Sequence, residues 1–469
     1  MKPIRLLAPA RAALAALPLA ALPLLGAPCA GAADLAEVYQ RALRNDPQLR
    51  EADANRLAAL EARPQALASL LPQLGATAGY TNDDVSGASL AVANAGVLVP
   101  YQSAARTDAT QWSLQLRQTL FRWDQIAALR RAGVQVTQAE VDFRAAQQDV
   151  IVRTATAYFN VLAARDTLDA AEAARDAIGR QLEQTEKRYE VGLIAVTDVE
   201  EARAASDQAV ATVIADKRAL ATTREQLREL TGDAFDELKR PGEDMPLIAP
   251  EPAAEEQWVR AALDQNLQLS SARLGVDIAR ENIAVARSGH LPALDIVASR
   301  SATNTNGTYS AAGLVQPADT SNYDRQIGVQ LTFPIYAGGG TASRVRQAVF
   351  QQRAARERLE RTARATERQT RDSYLGVLSE ISRVRALKQA VASSDTALKA
   401  TEAGYEVGTR TTVDVLLARQ RLLDAQTTYA RSRYDYIINV LLLEQAGGTL
   451  DETRLTRVNG WLGQTVTVK

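Results

Sequence analysis

The residue types that most often carry catalysis or metal binding are scarce in this chain of 469 residues. His290 is the only histidine and has no cysteine or second histidine as companion, so neither a zinc site nor a Ser-His-Asp triad is indicated. The glycine run at 338–340 is not followed by Gly-Lys-Ser/Thr, which argues against a phosphate-binding loop. The acidic pairs Asp83–Asp84 and Glu255–Glu256 fall in predicted loop or helix-start positions, where solvation accounts for them. The sequence therefore predicts no enzyme, no metal site and no cofactor.

One short stretch with polar and charged side chains occurs twice. RYEVGLIAVTDVEEAR begins at Arg188, GYEVGTRTTVDVLLAR begins at Gly404, and their matching residues are 216 positions apart. The shared glycine predicts a tight turn between two helices, and the shared aspartate, just after the turn, favours a helix N-terminus. Taken alone, the stretch predicts a repeated helix–turn–helix with no functional role. The charge of Arg410 in the second copy has no counterpart in the first, where Ile194 occupies that position.

Very long helices are predicted on both sides of these turns. Proline is absent from 124–240 and from 335 to the last residue. The segment 124–189 could therefore run unbroken for roughly 100 Å. Heptad spacing in the return helices, with many alanine and serine residues on the seam, predicts closely packed antiparallel coiled-coil hairpins.

Alternating sequence before each long helix predicts β-strands with one apolar face. Each alternating strand has a weaker partner upstream, and the two are separated by polar segments, 81–108 and 303–322, that predict long surface loops. Four such strands cannot close a barrel alone, and an open sheet edge in a bilayer leaves backbone groups unpaired. If the strands span a membrane, the chain must oligomerise, and two or three copies would both serve. The outward residues of the two stronger strands are Trp112, Leu114, Leu116 and Leu120, and Ile327, Val329, Leu331, Phe333 and Ile335.

The predicted domain organisation follows this duplication. It consists of a signal peptide at 1–33, a first repeat at 34–232, a linker at 233–257, a second repeat at 258–448 and a tail at 449–469. Within the repeats, β-hairpins are predicted at about 74–122 and about 293–336, and long helix hairpins at about 124–230 and about 341–446.

The N-terminal segment predicts export. Lys2, Arg5 and Arg11 precede an Ala/Leu-rich stretch that ends in small residues, as in a cleaved secretory signal. Cys29 lies inside that segment without lipobox context, which favours a soluble-type signal over a lipid anchor. Loss of the three basic residues leaves 51 Lys and Arg against 55 Asp and Glu, a formal charge of −4 that gives no indication of a nucleic-acid partner. No apolar run of helical transmembrane length follows.

The duplicated plan, and above all AGYEVGTRTTVDVLLARQRLLDAQTTYARSRYDYIINVLLLEQAGGTL, resembles the TolC family of outer-membrane efflux and secretion proteins over nearly all of the mature chain. The resemblance implies a mainly α fold with a β-barrel contribution. In it, a homotrimer builds a twelve-stranded barrel among outer-membrane lipids and a tapered α-barrel in the periplasm, with the linker and tail forming an equatorial belt. It implies a non-enzymatic channel that works with a periplasmic adaptor (membrane fusion) protein and an inner-membrane ABC or RND-type pump. The cargo, proteins or small toxic compounds, is not indicated.

The resemblance also implies roles for single residues. Asp198, Tyr405 and Arg410 match the family's gate linkages at the hairpin tips. Asp414 matches the first of two aspartates that ring the pore constriction, where repeated carboxylates select cations. Leu417 occupies the second ring position, so one acidic ring or two stays open. The adaptor-contact turns are expected to comprise Val191, Gly192, Leu193, Val407, Gly408 and Thr409.

The alternative is an exported periplasmic coiled-coil structural or adaptor protein without a pore, in which the alternating segments form a soluble β-domain. The amphipathic strands and their loop lengths favour the channel.

Overall fold

The structure is a computed structural model that describes residues 32–92, 98–242, 244–311 and 314–468. Apart from its last two residues, the predicted signal at 1–33 lies outside the described residues. The elements, in chain order, are α1 (Leu35–Asn45), α2 (Pro47–Leu60), α3 (Ala62–Ala68), β1 (Gln73–Val92), β2 (Leu98–Phe121), α4 (Trp123–Glu190), α5 (Val196–Thr231), β3 (Glu237–Pro241), α6 (Glu255–Gln265), α7 (Leu267–Ser288), β4 (Ala293–Ala311), β5 (Leu314–Pro317), β6 (Thr320–Thr332), α8 (Gly340–Glu406), α9 (Thr412–Ala446), α10 (Glu452–Asn459) and β7 (Leu462–Thr467).

The mainly helical, internally duplicated plan is confirmed. The two longest helices, α4 and α8, have 68 and 67 residues, and each turns back into a shorter antiparallel helix, α5 or α9. Within the described part of the chain, no helix combines the length and the apolar character needed to cross a membrane.

The two copies differ before their strands. Copy two has one continuous helix, α7, whereas the corresponding segment of copy one is divided into α2 and α3 at Glu61. Pro64 explains the division, because a proline ring clashes with the carbonyl four residues earlier, here that of Leu60, the last residue of α2. Ala284, which lies 220 positions after Pro64, has no such ring, so α7 continues through it.

The strands form one antiparallel sheet in the order β1-β2-β4, with β4 pairing on its far side with both β5 and β6. The prediction of long surface loops at 81–108 and 303–322 is wrong for the described residues. These segments continue the paired strands, since β1 runs to Val92, β2 begins at Leu98 and β4 runs to Ala311. Their alternation is weak because both faces are polar. Cross-strand bonds from Tyr80 and Asn82 to Asp108 (2.5 and 2.7 Å) satisfy that polarity.

The fourth strand of the sheet begins earlier than predicted, inside the segment predicted as a loop, and is divided into β5 and β6 by Ala318 and Asp319. At the break, the Asp319 Oδ1 accepts a hydrogen bond from the Gly307 N–H (3.0 Å), and the Gly307 carbonyl accepts one from the Ala318 N–H (2.9 Å). These bonds replace the missing ladder, so β5 and β6 act as one interrupted strand. Among the described strands, β1 and β6 therefore keep one unpaired edge each.

One face of this sheet is apolar and exposed; we call it the apolar sheet face. It carries the alternating residues predicted for β2 and β6, including Trp112, Leu114, Ile327, Val329 and Leu331. The opposite face is polar. There the buried Asp295 accepts hydrogen bonds from Arg117 (2.6 Å) and Thr119 (3.2 Å), which joins β4 to β2.

The helices form a layer in which α4 packs against α5, α7 and α9, while α8 packs against α7 and α9. Part of the main hydrophobic core lies where α4 packs against α9. Phe159 stacks on Tyr434 with ring centroids 5.6 Å apart, and both are almost fully buried. The linker and tail join this core, because β3 pairs with β7 and the Tyr158 hydroxyl donates a hydrogen bond to the Lys239 carbonyl of β3 (2.5 Å).

Equivalent positions of the two long helices are unequally buried. On α4, Phe159 and Leu162 are 0% exposed, and Tyr434 of α9 stacks on Phe159. Their counterparts 216 positions later on α8, Leu375 and Leu378, are 53% and 36% exposed. One flank of α8 therefore lacks the covering helix that the same flank of α4 has.

Candidate functional site

The two hairpin tips have the same backbone turn. Gly192 and Gly408 have φ angles of 77° and 78°, a left-handed conformation that side chains with a Cβ rarely adopt. In copy one, the Leu193 N–H donates to the Arg188 carbonyl (2.9 Å), and in copy two the Thr409 N–H donates to the Gly404 carbonyl (2.8 Å). The turn glycines predicted from the repeat are confirmed by these bonds.

Large apolar side chains stand exposed at the tips. Val191, Leu193 and Val407 are among the most exposed large apolar residues of the described chain. They lie at the turns, beyond the last cross-hairpin core contact. Exposed apolar clusters of this kind indicate protein–protein contact. The geometry therefore suits the predicted adaptor-contact role of 191–193 and 407–409 without identifying the partner.

The two repeated aspartates have different surroundings. Asp414 belongs to a capping box with Thr411: its carboxylate accepts bonds from the Thr411 N–H and hydroxyl, both at 2.9 Å. These bonds, with a smaller contribution from the charge of Arg410, lower the pKa of Asp414. In copy one, Ala195 stands at the capping position and offers no hydroxyl. The Asp198 carboxylate consequently has no hydrogen-bond or ion-pair partner within the described chain, so the simple helix-start interpretation accounts for Asp414 better than for Asp198.

The repeated tyrosines also differ. Tyr405 is 9% exposed, whereas Tyr189 is 46% exposed. The Tyr405 hydroxyl accepts a hydrogen bond from the Thr412 hydroxyl (3.4 Å), and the Arg188 guanidinium lies over its ring, 4.7 Å from the centroid. This cation–π contact connects the end of α4 to the end of α8.

The predicted gate residues are not bonded to each other within one chain. Arg410 is exposed and makes no ion pair with a described residue, Asp198 included. Tyr405 directs its hydroxyl to Thr412 and not to Asp198. Any link between Asp198 and Arg410 would therefore need a rearrangement or a second copy of the chain.

Sequence reasoning missed two ion pairs near the tips, one in each hairpin. Arg203 contacts Glu186 at 3.3 Å in copy one, and Arg419 contacts Glu402 at 2.5 Å in copy two. Each pair joins the outgoing helix to the return helix of its own hairpin. The sequence did contain a signal, because the glutamate and the arginine of the first ion pair both recur 216 positions later in the second. Their contact could not be predicted, however, because it depends on how one helix is rotated against the other after the turn.

The described residues include no cluster of three or more histidine, cysteine or acidic side chains able to hold a metal ion. Leu417, one helical turn after Asp414, is 52% exposed. A single chain therefore contributes one carboxylate and one apolar side chain at these neighbouring positions.

The match to known proteins covers nearly the whole chain. The family model described as outer membrane efflux protein matches residues 38–233 and 258–449. The outer membrane protein TolC of Vibrio cholerae is 38% identical over 431 residues, which cover 92% of this chain and 94% of that protein. The TolC of Escherichia coli is 39% identical over 446 residues, covering 93% and 86%.

Two further similarities are more distant. The alkaline protease secretion protein AprF of Pseudomonas aeruginosa is 28% identical over 433 residues, covering 91% of this chain and 87% of that protein. Among solved structures, the CmeC outer membrane channel of Campylobacter jejuni superposes with a TM-score of 0.69 at 18% identity, covering 91% of this chain and 89% of that one. At that identity the structural similarity concerns the fold alone.

Proposed function

The chain belongs to the outer membrane efflux protein family, and we propose that three copies of it form a channel that carries cargo across the periplasm and the outer membrane. Membership of this family locates the protein in the outer membrane. The role proposed is transport without catalysis, in agreement with the channel and secretion proteins that it resembles.

The observation that carries this proposal is that equivalent surfaces of the two repeats within one chain are unequally buried. Within the chain, α9 covers the flank of α4 that contains Phe159, and β4 covers one edge of β2. No described element covers the equivalent flank of α8 around Leu375 or the outer edge of β6. The remaining helix α5 and strand β1 of copy one are of the types that would cover them. A next chain placed head to tail would supply both, and such contacts close into a ring when the rotation permits.

Three copies are proposed because they give a sheet large enough to close. Each chain contributes four strands if β5 and β6 count as one, so three chains give a twelve-stranded barrel without edges. The pore-less coiled-coil alternative would leave an open sheet with an exposed apolar face in water. That surface argues for the channel.

The exposed tips are proposed to dock a periplasmic adaptor, which in turn connects to an inner-membrane ABC or RND-type pump. The proposed cargo is proteins, small toxic compounds, or both. Protein cargo is supported by AprF, whose description is an alkaline protease secretion protein. Small-molecule cargo is supported by the description of the family as outer membrane efflux proteins.

The proposal is tested by purification and reconstitution. We expect a detergent-extracted particle with three times the chain mass by light scattering, and discrete conductance steps in planar lipid bilayers. A monomer released with the soluble periplasmic fraction, inactive in bilayers, would reject the channel in favour of the coiled-coil alternative.

Asp414 leads to a prediction about block by divalent cations. We expect Asp414→Asn to raise the half-blocking concentration of a divalent cation, applied from the tip side, roughly tenfold, because three carboxylates around an axis would bind cations. Asparagine keeps an oxygen that can accept the capping bonds of Thr411, so the charge alone is removed.

The pH dependence of this block follows from the lowered pKa of Asp414. A carboxyl group whose pKa is lowered stays ionised at pH values where an ordinary aspartic acid is already half protonated. Block should therefore persist as pH falls through the usual aspartate range and disappear only below it. Glu190→Gln is the matched control, because it removes an exposed carboxylate at the tip of copy one that has no part in the predicted gate or constriction, and unchanged block is expected. Equal block in the Asp414→Asn channel and the parent would show that the cation site lies elsewhere.

A further inference from the structure

Two arginines lie directly opposite each other within the apolar sheet face. Arg300 of β4 pairs with Arg325 of β6. Their row across the sheet continues through Leu114 of β2 to Ala76 of β1; we call it the arginine row. The row on the side of the helices contains Leu74, Leu116, Ala298 and Ile327, and the row on the other side contains Ala78, Trp112, Ala302 and Tyr323.

The strand pattern assigns both arginines to the apolar sheet face. Residues opposite each other on antiparallel strands project from the same face, and faces alternate along each strand. Tyr323 and Ile327, two positions to either side of Arg325, are exposed on the apolar face. Asp324, between them, belongs to the polar face together with its partner Ser301. Arg300 and Arg325 are themselves exposed.

Neither arginine has a counter-charge among the residues that the structure describes. The other two arginines in the described part of the sheet are both paired, Arg106 with Asp84 (2.9 Å) and Arg117 with Asp295 (2.6 Å). Arg300 and Arg325 make no ion pair or hydrogen bond from their side chains to any residue within the described ranges. Like charges directly opposite in a sheet repel each other, and an arginine facing lipid is costly away from the interface. The pair therefore calls for an anion from outside the chain.

The position of the arginine row indicates which anion is available. It is two residues from the row with Trp112 and Tyr323, about 7 Å along the strand. Aromatic residues of outer-membrane sheets concentrate at the membrane interfaces. This aromatic row is on the side of the sheet away from α4 and α8. If those helices are periplasmic, as the proposed function requires, the arginine row lies in the outer leaflet just beneath the headgroups.

We propose that Arg300 and Arg325 together bind the phosphate group of a phosphorylated lipid in the outer leaflet of the outer membrane. Each guanidinium group carries N–H donors in a fork that matches the oxygens of a phosphate, and the pairing of Arg300 with Arg325 places two such groups on neighbouring strands. One dianionic phosphate between them would compensate both charges and remove their repulsion. Leu116, Ile327 and Ala298 extend from the site toward the membrane centre, where acyl chains would contact them. The site rests on the proposed function for its membrane orientation.

The test measures lipid binding to the purified trimer by native mass spectrometry. The probes are bisphosphorylated lipid A and the same lipid without phosphates. We expect the Arg300→Gln, Arg325→Gln double variant to bind bisphosphorylated lipid A at least about tenfold more weakly than the parent, from the loss of charge-assisted hydrogen bonds. Dephosphorylated lipid A should bind parent and variant equally weakly.

Arg106→Gln is the matched control, since it removes an arginine from the same sheet that already has a carboxylate partner. It should bind lipid A as the parent does. Equal binding of bisphosphorylated lipid A by the double variant and the parent would overturn the site, and so would its displacement by millimolar inorganic phosphate, which would indicate a site for free anions. Bilayer conductance of both proteins is recorded in parallel. A conducting variant with parental lipid binding overturns only the lipid site, whereas a parent that never conducts overturns the channel itself.

Discussion

Replacing Leu375 and Leu378 together by aspartate is expected to abolish the trimer while leaving each chain folded. Both side chains are partly exposed in the single chain, so the charges meet water as long as the chain stays alone. In the proposed ring they would be covered by the neighbouring chain, and an unpaired charge buried at an interface costs on the order of 3 kcal/mol. Light scattering of the detergent-solubilised variant should give the mass of one chain, with a helical circular dichroism signal like that of the parent.

The equivalent position in copy one provides the control. Phe159 is covered within the chain by Tyr434, so Phe159→Ala should lower the free energy of unfolding by about 3–5 kcal/mol. Leu375→Ala should instead leave the single chain's stability nearly unchanged and weaken only the assembly. A Leu375→Asp, Leu378→Asp protein that still forms trimers as resistant to detergent as the parent would remove the basis for head-to-tail packing on α8.

Replacing Tyr405 by phenylalanine and Arg410 by serine is expected to raise single-channel conductance severalfold. The phenol of Tyr405 and the charge of Arg410 lie at the tip of copy two. At the equivalent level of the other hairpin, the Asp198 carboxylate has no partner among the described residues. In an assembled ring, ionic links between such groups would hold the tips together, and these links are strong yet reversible. Their loss shifts the tips toward an open arrangement.

The matched variant for this experiment is Tyr189→Phe with Ile194→Ser, which changes the corresponding positions of copy one. Tyr189 is half exposed, and Ile194 has no charge to lose, so the conductance should equal that of the parent. Conductance measured in planar bilayers at fixed salt decides between the two outcomes. If both double variants conduct like the parent, the links assigned to Tyr405 and Arg410 do not hold the channel closed.

The long helices and their turns could be predicted because their causes are local. Proline-free segments permit unbroken helices, and Gly192 and Gly408 supply the positive φ that their turns require. The division between α2 and α3 also has a local cause, Pro64, but it can be recognised only against the uninterrupted α7.

The remaining features depend on partners distant in the chain. The extended strands beyond Tyr80 have two polar faces, so alternation gives no signal, and their pairing rests on bonds such as that from Asn82 to Asp108. At the tips, the repeat alone predicts that Asp198 and Asp414 are equivalent helix starts. The structure distinguishes them through a neighbour, since Thr411 caps its helix and Ala195 cannot.

The small sheet of β3 and β7 has a consequence for the order in which the protein folds. Arg240 of β3 bonds to Gln464 of β7, a residue 224 positions later. A chain exported from its N-terminus delivers β3 long before β7. This edge of β3 therefore stays unpaired while the second repeat of the same chain crosses the inner membrane. The first hairpin can form during this delay from contacts that are already present. The sheet of β3 and β7 closes only after the last strand is present, which makes its completion a late event of folding.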